Sequence, residues 1–416
     1  MHNVNHKYNT LTKFQGSIVG VLIGDCLGKK FEGNKIVDIN EIKDVINNQN
    51  LIKYSDDTAF TFDLAKSLIE NKGVYIKSIL NNFTITYYNE PERGYGNNIG
   101  KVMQQFKSQI KDEDLFGYAR QQFDGEGSFG NGSSMRITPL ALLYYKCDSE
   151  ALIRSVIETT LLTHSHPIAI YGALCQALVL AQAILLPPPP KIGSSMLNGQ
   201  SLALETLQIL TQGLKEVSKY EGSLLHYFPL SCVKFYEENN ENSVLYNERC
   251  QKSLTDFLDK FETVKEFLMQ NSTEINRPEI IKKLGNDVSA VKSVPTSIYF
   301  FLRALKIAFN KNQNAYQPNS STLFLDTLYD AISLGGDTDT IASMTGALLG
   351  SWLGYEIEEE HGDQNSYNIT SRQDKNSYLQ NLLPINTNGS EKFEKFDVAL
   401  SLSSKLYHIS FLSEDI

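Results

Sequence analysis

The stretch SLGGDTDT at residues 333–340 runs directly into IASMTGA at residues 341–347. It places two carboxylates, Asp337 and Asp339, and the hydroxyl of Thr340 at the start of a helix of small and apolar residues. The first side chains and N–H groups of a helix fan toward one point, so these oxygens can converge. Hard oxygen ligands packed this densely suit Mg²⁺ or Mn²⁺ better than zinc. The alternative interpretation is an ordinary N-cap with aspartate in the first turn, and a second acidic cluster must decide.

That second cluster is YSDDT at residues 54–58, which opens a predicted helix from Ala59 to Leu68. Ser55, Asp56 and Asp57 repeat the pairing of hydroxyls with carboxylates. Brought together, the two clusters would supply four carboxylates and several hydroxyls, enough for a two-metal site. Carboxylates this close repel strongly unless a cation lies between them, so a metal is the economical explanation.

Composition and charge exclude several function classes. The 416 residues are 41% hydrophobic and 21% charged, which is typical of a soluble globular protein of one large domain or two ordinary ones. The net charge of -10 argues against a broad surface for nucleic acid or anionic membrane. Five scattered cysteines without a C-x-x-C pair fit reduced thiols, and residues 1–6 lack the regions of a signal peptide. We therefore expect an intracellular protein, in the cytoplasm, the nucleus or both, with mitochondria as a further compartment.

Helical patterns run through the rest of the chain, and convincing strand alternation is almost absent, which predicts an all-α fold. Residues 14–22 form an apolar helix that we expect to end at the glycines of residues 24–28. The uncharged run at residues 168–186 is nearly long enough to span a bilayer, but its glutamines, alanines and missing basic flank favour a buried central helix. Exposed insertions are expected near residues 185–201, after a proline run, and over the acidic, asparagine-rich residues 358–390.

A glycine-rich loop at residues 123–132 leads into the apolar helix that follows Met135 and Arg136. It contains four glycines within eight residues, and backbone N–H groups in such a loop can cradle phosphate without a charged side chain. Phe123 and Phe129 are placed to sandwich an adenine. The alternative is a surface loop without function, because glycine-rich loops alone are weak signals.

Two histidines separated by one residue, His164 and His166, precede Pro167, a favourable first residue for the next helix. Such a pair suggests half of a zinc site, but we find no third nitrogen or sulfur ligand placed to complete it. We therefore predict that His164 makes a hydrogen bond to a ligand.

Six motifs, in this order, resemble those of the ADP-ribosylglycohydrolase family, all-helical dimagnesium hydrolases that remove ADP-ribose from proteins. They are GDCLG at 24–28, SDDT at 55–58, GNG at 130–132, MR at 135–136, LTH at 162–164 and GGDTDT at 335–340. The last motif, with its alanine- and glycine-rich helix, is the most specific. Further motifs resemble the ADP-ribosylhydrolase 3 branch, which acts on serine-linked ADP-ribose, poly(ADP-ribose) and O-acetyl-ADP-ribose: RGYG at 93–96, GEGSFGNG at 125–132 and SVPTSIY at 293–299.

The resemblance implies a single domain over residues 10–410, folded as a compact orthogonal helical bundle. We expect the protein to be a monomer. We expect it to bind ADP-ribose and ADP-ribosylated proteins, and to bind neither nucleic acid nor membrane. The resemblance further implies two Mg²⁺ ions, replaceable by Mn²⁺, with Glu32 joining their ligands when its loop closes: Ser55, Asp56, Asp57, Asp337, Asp339 and Thr340. Glu32 and Asp56 would be catalytic. The resemblance also implies the substrate contacts. The diphosphate would lie along residues Gly127, Ser128, Phe129, Gly130 and Asn131, and the adenine at Phe123 and Phe129. His164 would contact the distal ribose or a phosphate, and Gly94 and Gly96 would make further contacts.

Three positions depart from the pattern of that branch. Ser55 stands where threonine is usual but keeps the hydroxyl, and Phe129 replaces tyrosine but keeps the ring. The pair His166–Pro167 looks more like the arginine-directed and dinitrogenase-reductase-activating relatives. Two alternatives therefore stay open: an ADP-ribosylarginine hydrolase, and a non-catalytic ADP-ribose-binding or structural relative. Retention of all the acidic positions, Glu32 included, argues against the second.

Overall fold

Seventeen α-helices, joined by turns and short 3-10 helices, make up the part of the chain that the computed structural model describes. That part comprises residues 2–48, 51–108, 114–147, 149–189, 198–219, 224–237, 240–270, 274–309, 320–355 and 392–411. These residues contain two isolated β-bridges and no β-strand, so the predicted all-α fold is confirmed. The helices are α1 (His2–Gly28), α2 (Ile39–Asn48), α3 (Asp56–Asn71), α4 (Ile76–Asn89), α5 (Ile99–Ser108), α6 (Gly117–Arg120), α7 (Thr138–Tyr144), α8 (Ser149–Thr160), α9 (Pro167–Leu185), α10 (Gly199–Val217), α11 (Leu230–Glu237), α12 (Asn240–Met269), α13 (Arg277–Lys283), α14 (Ala290–Ala308), α15 (Ser320–Ile332), α16 (Thr338–Leu353) and α17 (Phe396–Ser410).

Helices α1 and α16 pack as an antiparallel pair whose backbones touch. A Cβ added to Gly20 would lie 2.1 Å from the carbonyl oxygen of Gly346, so a larger residue would force the helices apart. The contact continues to Gly28, which lies against the backbone of Thr338. Helix α1 ends at Gly28, within the stretch of residues 24–28 where its end is expected. Gly24, however, does not cap the helix, because α1 continues through it and uses it as part of the contact surface. This contact brings the C-terminal turn of α1 beside the first turn of α16.

The interior is built around α16 and α9, which are apolar on nearly all sides. Residues 338–352 of α16 are all buried, and the helix packs against α1, α9, α14 and α15. Helix α9 is the one described helix that is long and apolar enough to cross a membrane. It packs against α7, α8, α10, α12, α14 and α16, and most of its residues are buried, as the prediction of a buried central helix requires.

A clamp from the C-terminal segment holds the chain just before α3. Ile52 and Phe393 form an isolated parallel bridge. The guanidinium of Arg93 donates to both carboxylate oxygens of Glu394, at 2.8 Å and 3.1 Å, and lies 3.7 Å from the ring centroid of Tyr54. It also donates to the Tyr54 carbonyl at 3.1 Å. Tyr54, the first residue of the second acidic cluster, is thus held by Arg93, which is itself held by Glu394 of the C-terminal segment.

Neither predicted insertion is fully described by the structure. Helix α9 ends at Leu185 and α10 begins at Gly199, while residues 190–197 between them lie outside the described residues. All of residues 358–390 also lie outside the described residues. The domain limits of 10–410 stay a prediction.

Candidate functional site

The first turns of α3 and α16 bring the two predicted acidic clusters together. Carboxylate oxygens of Asp57, Asp339 and Asp25, the last from α1, all lie within 4.8 Å of one another. A second group, again within 4.8 Å, combines Asp339 with Asp337 and Glu32. Because Asp339 belongs to both groups, the five carboxylates form one continuous cluster. The four aspartates are buried, and Glu32 lies at the exposed rim.

One hydroxyl from each cluster donates to the same carboxylate oxygen. Ser55 is the N-cap of α3: its Oγ accepts from the Asp57 amide at 3.3 Å and donates to Asp57 Oδ2 at 2.9 Å. From α16, Thr340 Oγ1 donates to the same Oδ2 at 3.4 Å. The other oxygen, Asp57 Oδ1, is buried and has no hydrogen-bond partner among the described residues. An orphaned buried carboxylate oxygen of this kind is unfavourable unless a cation contacts it.

Asp56 is half-buried and belongs to neither of the two groups of close carboxylates. Burial, followed by the nearby Asp25 carboxylate, raises the pKa of Asp56 well above its usual range. A Cβ added to Gly94, whose φ is +95°, would lie 4.0 Å from Asp56 Oδ1, and one added to Gly96 would meet nothing within 4 Å. Of the predicted contact residues Gly94 and Gly96, Gly94 therefore lies beside Asp56 without a side chain, and the space that a side chain at Gly96 would fill is open.

Asp25 is the site residue that sequence reasoning missed. Its two carboxylate oxygens each accept from the Ser55 amide at 2.9 Å, and one also accepts from the Thr58 amide at 3.0 Å. Asp25 is fully buried, so it caps the start of α3 from the neighbouring helix and fixes the loop that carries the acidic cluster. The sequence signal that could have identified Asp25 is its position in the GDCLG motif at residues 24–28, one of the motifs shared with the family.

The cluster has the electrostatics of a cation site. Burial raises the pKa of Asp57 and of Asp339 well above the usual range, and the neighbouring carboxylates raise both further. Burial raises the pKa of Asp337 to about 6, against the opposing hydrogen bond from Asn131. Without a cation the cluster therefore retains protons near neutral pH. Its donors are carboxylate and hydroxyl oxygens, which fit hard divalent cations such as Mg²⁺ or Mn²⁺.

Backbone hydrogen bonds set the position of the Glu32 loop. The Gly33 amide donates to the Gly336 carbonyl at 2.8 Å, and the Gly336 amide donates to the Asn34 carbonyl at 2.8 Å. This two-way pairing ties the loop to the turn before Asp337, and it accounts for the short distance between Glu32 and the aspartates of α16. Closure of the loop stays a prediction.

The predicted phosphate loop is held against the segment before α14. Among residues 127–131, three amides already donate within the protein: Gly127 to the Gln122 carbonyl at 2.9 Å, Gly130 to Ser128 Oγ at 3.3 Å and Asn131 to the Val288 carbonyl at 2.9 Å. Within the described structure, the amides of Ser128 and Phe129 have no acceptor. Of the five predicted contact residues, Ser128 and Phe129 are thus the ones whose amides can donate to a phosphate.

Asn131 connects this loop to the acidic cluster. Its Nδ2 donates to Asp337 Oδ2 at 2.5 Å and to Ser293 Oγ at 2.9 Å. The amide of Asp337 donates in turn to the Asn286 carbonyl at 2.8 Å. The side chain predicted to contact the substrate therefore orients a candidate metal ligand, and the two parts of the site form one hydrogen-bonded unit.

Phe123 and Phe129 lie next to each other and are exposed. Their ring centroids are 5.4 Å apart at an interplanar angle of 41°, which is direct contact. A base lying between two rings needs about 7 Å, twice the usual stacking distance of about 3.5 Å. In this arrangement an adenine would stack on an outer face of the pair, or the rings would have to move apart.

The two histidines have separate roles. His166 Nδ1 accepts from the Ile168 amide at 3.1 Å and caps α9 ahead of Pro167. Its ring also packs edge-on against Phe129. His164 is buried, and its Nδ1 is hydrogen-bonded to Thr163 Oγ1 at 2.7 Å. Its other ring nitrogen faces the loop of residues 130–132, in keeping with the predicted ligand contact.

Comparison with known proteins agrees with this geometry. The family model described as ADP-ribosylglycohydrolase matches residues 6–363. ADP-ribosylhydrolase ARH3 of Xenopus tropicalis is 32% identical over 83% of this chain and 88% of its own length. ADP-ribosylhydrolase ARH3 of Homo sapiens is 28% identical over 85% of this chain and 89% of its own.

A solved structure described as an ADP-ribosylglycohydrolase-related protein complex covers 97% of this chain and 99% of its own at a TM-score of 0.55. Its identity of 15% supports the fold alone. The family match spans both acidic helix starts, the Glu32 loop and the glycine-rich loop. The chain belongs to the ADP-ribosylglycohydrolase family and is, by that membership, a glycosidic-bond hydrolase.

Proposed function

We propose that this protein is a Mg²⁺-dependent hydrolase that removes ADP-ribose from serine-modified proteins and also cleaves poly(ADP-ribose) and O-acetyl-ADP-ribose. One observation carries the proposal: the acidic cluster at the starts of α3 and α16 is joined through Asn131 to the glycine-rich loop. The candidate metal ligands and the glycine-rich loop therefore lie side by side. ADP-ribose, with its diphosphate and distal ribose, is a ligand that spans both.

The candidate metal ligands are the predicted set, and Asp25 orients them from α1. They comprise Ser55, Asp56, Asp57, Asp337, Asp339, Thr340 and Glu32. When bound, two Mg²⁺ ions, or Mn²⁺ in their place, would supply Lewis acidity that aligns the distal ribose hydroxyls and favours loss of a proton from water. The orphaned Oδ1 of Asp57 and the raised carboxyl pKa values support this assignment.

The reaction is a displacement at the anomeric carbon of the distal ribose. A water oxygen forms a bond to that carbon, the bond to the serine oxygen breaks, and the serine oxygen takes up a proton. Glu32 or Asp56 would accept the proton of the water or help to protonate the serine oxygen. Glu32 lies at the exposed rim and the half-buried Asp56 lies beside Gly94, so both can reach a bound ribose.

Substrate recognition would use a small set of groups. The amides of Ser128 and Phe129 are available to the diphosphate, and His164 faces the same loop. The paired rings of Phe123 and Phe129 are exposed for stacking against adenine. The absence of a side chain at Gly94 leaves room near Asp56 for the modified serine of a protein.

The relatives named ARH3 support the serine-directed branch over the arginine-directed one. The signal for the arginine-directed branch was His166–Pro167, and these residues have a structural role as the cap and first residue of α9. That role explains the pair without reference to the linkage.

The cellular setting is part of the proposal. We propose a monomer that acts inside the cell, in the cytoplasm, the nucleus or mitochondria, on ADP-ribosylated proteins and without contacts to nucleic acid or membrane. All five cysteines are free, and four of them are buried, which supports a reducing compartment. The net charge of -10 supports the absence of a broad surface for nucleic acid or anionic membrane.

The test is release of ADP-ribose from a serine-modified peptide, with an arginine-modified peptide alongside, each in Mg²⁺ and in EDTA. We expect Mg²⁺-dependent release from the serine peptide alone. Glu32→Gln should lower the rate by about 10²–10⁴-fold, while Glu41→Gln, an exposed carboxylate on α2, should leave it unchanged. Release from the arginine peptide alone would assign the other linkage. ADP-ribose binding without any hydrolysis would mean a non-catalytic relative, and EDTA-resistant hydrolysis would refute the metal site.

A further inference from the structure

Arg136 is a buried cation whose hydrogen bonds all go to neutral groups. It is 2% exposed, and none of the described residues forms an ion pair with it. Its Nη1 donates to the Gly132 carbonyl at 2.7 Å. Its Nη2 donates to the Thr159 carbonyl at 3.3 Å and to Thr163 Oγ1 at 2.7 Å. The guanidinium also lies 4.8 Å from the ring centroid of Phe83. Asp56 acts on this charge from a distance, but no hydrogen-bonded anion compensates it. Such a buried charge calls for an explanation, because removing it from water is costly.

The bond to Thr163 determines what the Thr163 hydroxyl can do. A guanidinium only donates, so Thr163 Oγ1 must accept from Arg136. The hydroxyl proton is then free to be donated, and in the described structure its remaining partner is His164 Nδ1 at 2.7 Å. Thr163 is fully buried, so water does not compete for this proton. Nδ1 of His164 accepts, and the ring carries its proton on Nε2.

The Nε2 atom faces the glycine-rich loop. A Cβ added to Gly132 would lie 3.1 Å from Nε2 and 2.9 Å from Cε1, and one added to Gly130 would lie 3.6 Å from Nε2. The ring edge therefore occupies the space that side chains at these two positions would fill. An N–H at this place is aimed beside the Ser128 and Phe129 amides that have no acceptor within the described structure.

We propose that Arg136 and Thr163 act as positioning residues that hold His164 as a neutral imidazole with its proton on Nε2, so that it donates a hydrogen bond to an acceptor oxygen of ADP-ribose at the loop of residues 130–132. The proposal rests on the proposed function and deepens it by giving His164 a defined chemical role. His164 acts as a hydrogen-bond donor in recognition and takes no part in proton transfer.

The electrostatics agree with this geometry. Burial, and then the charge of Arg136, lower the pKa of His164 to about 3. The imidazole is therefore neutral at physiological pH, and protonation does not supply the Nε2 proton. The tautomer, which the hydroxyl of Thr163 controls, decides whether this nitrogen donates or accepts.

The experiment uses the full chain labelled with ¹⁵N in its histidine rings. The signal of His164 among the seven histidines is assigned by its loss in His164→Gln. Two-bond ¹H–¹⁵N spectra should show a protonated Nε2 and an unprotonated Nδ1 in the wild type. Thr163→Val removes the hydroxyl and should abolish this single tautomer, while Thr163→Ser should restore it. Thr159→Val, a buried threonine of α8 whose hydroxyl bonds Ser155, is the matched control and should keep it.

ADP-ribose affinity, measured by calorimetry, is the second readout. Loss of one aligned donor should raise the Kd about tenfold in Thr163→Val, with Thr163→Ser and Thr159→Val close to the wild type. A wild-type His164 protonated on Nδ1, or a Thr163→Val variant with unchanged tautomer and affinity, would overturn the inference. Unfolding midpoints of the variants distinguish loss of the fold from loss of the donor. Thr163→Ser must recover the wild-type affinity while its unfolding midpoint equals that of Thr163→Val. If the wild type has the Nε2 proton but binds no ADP-ribose, the positioning of His164 by Arg136 and Thr163 is supported and the proposed function fails.

Discussion

Asp337→Asn should stabilise the metal-free protein and abolish its response to Mg²⁺. Asp337 is 5% exposed, and burial raises the pKa of its carboxyl from 3.8 to about 6. A group whose pKa is raised on folding contributes stability below its unfolded pKa, and this contribution is lost as the pH rises through the folded value. The difference between 3.8 and about 6 corresponds to about 3 kcal/mol of unfolding free energy. At about pH 7.5 the metal-free wild type lacks this contribution, whereas the uncharged amide of the variant carries no such penalty.

The size of the expected shift in melting temperature follows from the chain length. Unfolding entropy is about 2.1 cal/mol/K per residue, so a chain of 416 residues melts with about 0.9 kcal/mol/K. A gain of about 3 kcal/mol therefore raises the melting temperature by about 3 °C in EDTA. Saturating Mg²⁺ should raise the wild-type melting temperature, because a ligand that binds only the folded state stabilises it. The order of the two proteins should thus reverse between EDTA and Mg²⁺.

Asp63→Asn is the matched control for this experiment. Like Asp337, Asp63 is a buried aspartate whose pKa burial raises to about 6. It lies in α3, outside the acidic cluster, and pairs with Lys66 at 3.2 Å. Its substitution should leave the Mg²⁺-induced shift at the wild-type size. Calorimetric melts of the three proteins in both buffers give the comparison. An Asp337→Asn variant less stable than the wild type in EDTA, or one that Mg²⁺ stabilises as much as the wild type, would refute the reasoning.

Proton competition, the α1–α16 contact and the C-terminal clamp each provide a further test. The apparent Mg²⁺ affinity should weaken as the pH falls through about 6, because the raised carboxyl pKa values make metal binding release protons; calorimetric titrations at several pH values measure this. Gly20→Ala should lower the unfolding free energy by about 3 kcal/mol or more in denaturant melts, whereas Gly213→Ala, whose new Cβ would have its nearest contact at 3.6 Å, should raise it by up to about 1 kcal/mol. Glu394→Gln, which removes the charged partner of Arg93, should cost about 1–3 kcal/mol in the same melts.

The acidic helix starts could be predicted because they are local patterns. A hydroxyl and two carboxylates in consecutive positions are typical of the first turn of a helix, and Ser55 is indeed the N-cap of α3. The contact between the two clusters could not be predicted from local patterns, because Thr340 and Asp57 are 283 positions apart in the sequence. No spacing within either motif determines such a contact, and the expectation that they meet came from the need to balance their charge and from the family resemblance.

The roles of Asp25 and Asn131 could not be read from the sequence because each depends on a distant partner. Asp25 lies inside α1, where the flanking Gly24 looked like a helix end, and its function arises only because α1 crosses the start of α3. Asn131 lies in a loop that looked suited to phosphate, and its partner Asp337 is 206 positions away. In both cases the side chain orients the acidic cluster, so the sequence predicted the ligands better than their supports.

The bonding of the glycine-rich loop limits how the substrate can be recognised. The loop is fixed by the β-bridge between Gly130 and Ser289 and by the Asn131 side chain, so it is ordered before any ligand arrives. This order uses amides that a phosphate would otherwise bind. Among residues 127–131 it leaves the amides of Ser128 and Phe129, and the proposed ring N–H of His164 faces the same loop. With so few donors, each must be aligned in advance, because a ligand cannot compensate for a misplaced one elsewhere. This explains the buried charge of Arg136: it fixes the Thr163 hydroxyl, and the hydroxyl in turn fixes the tautomer of the His164 ring.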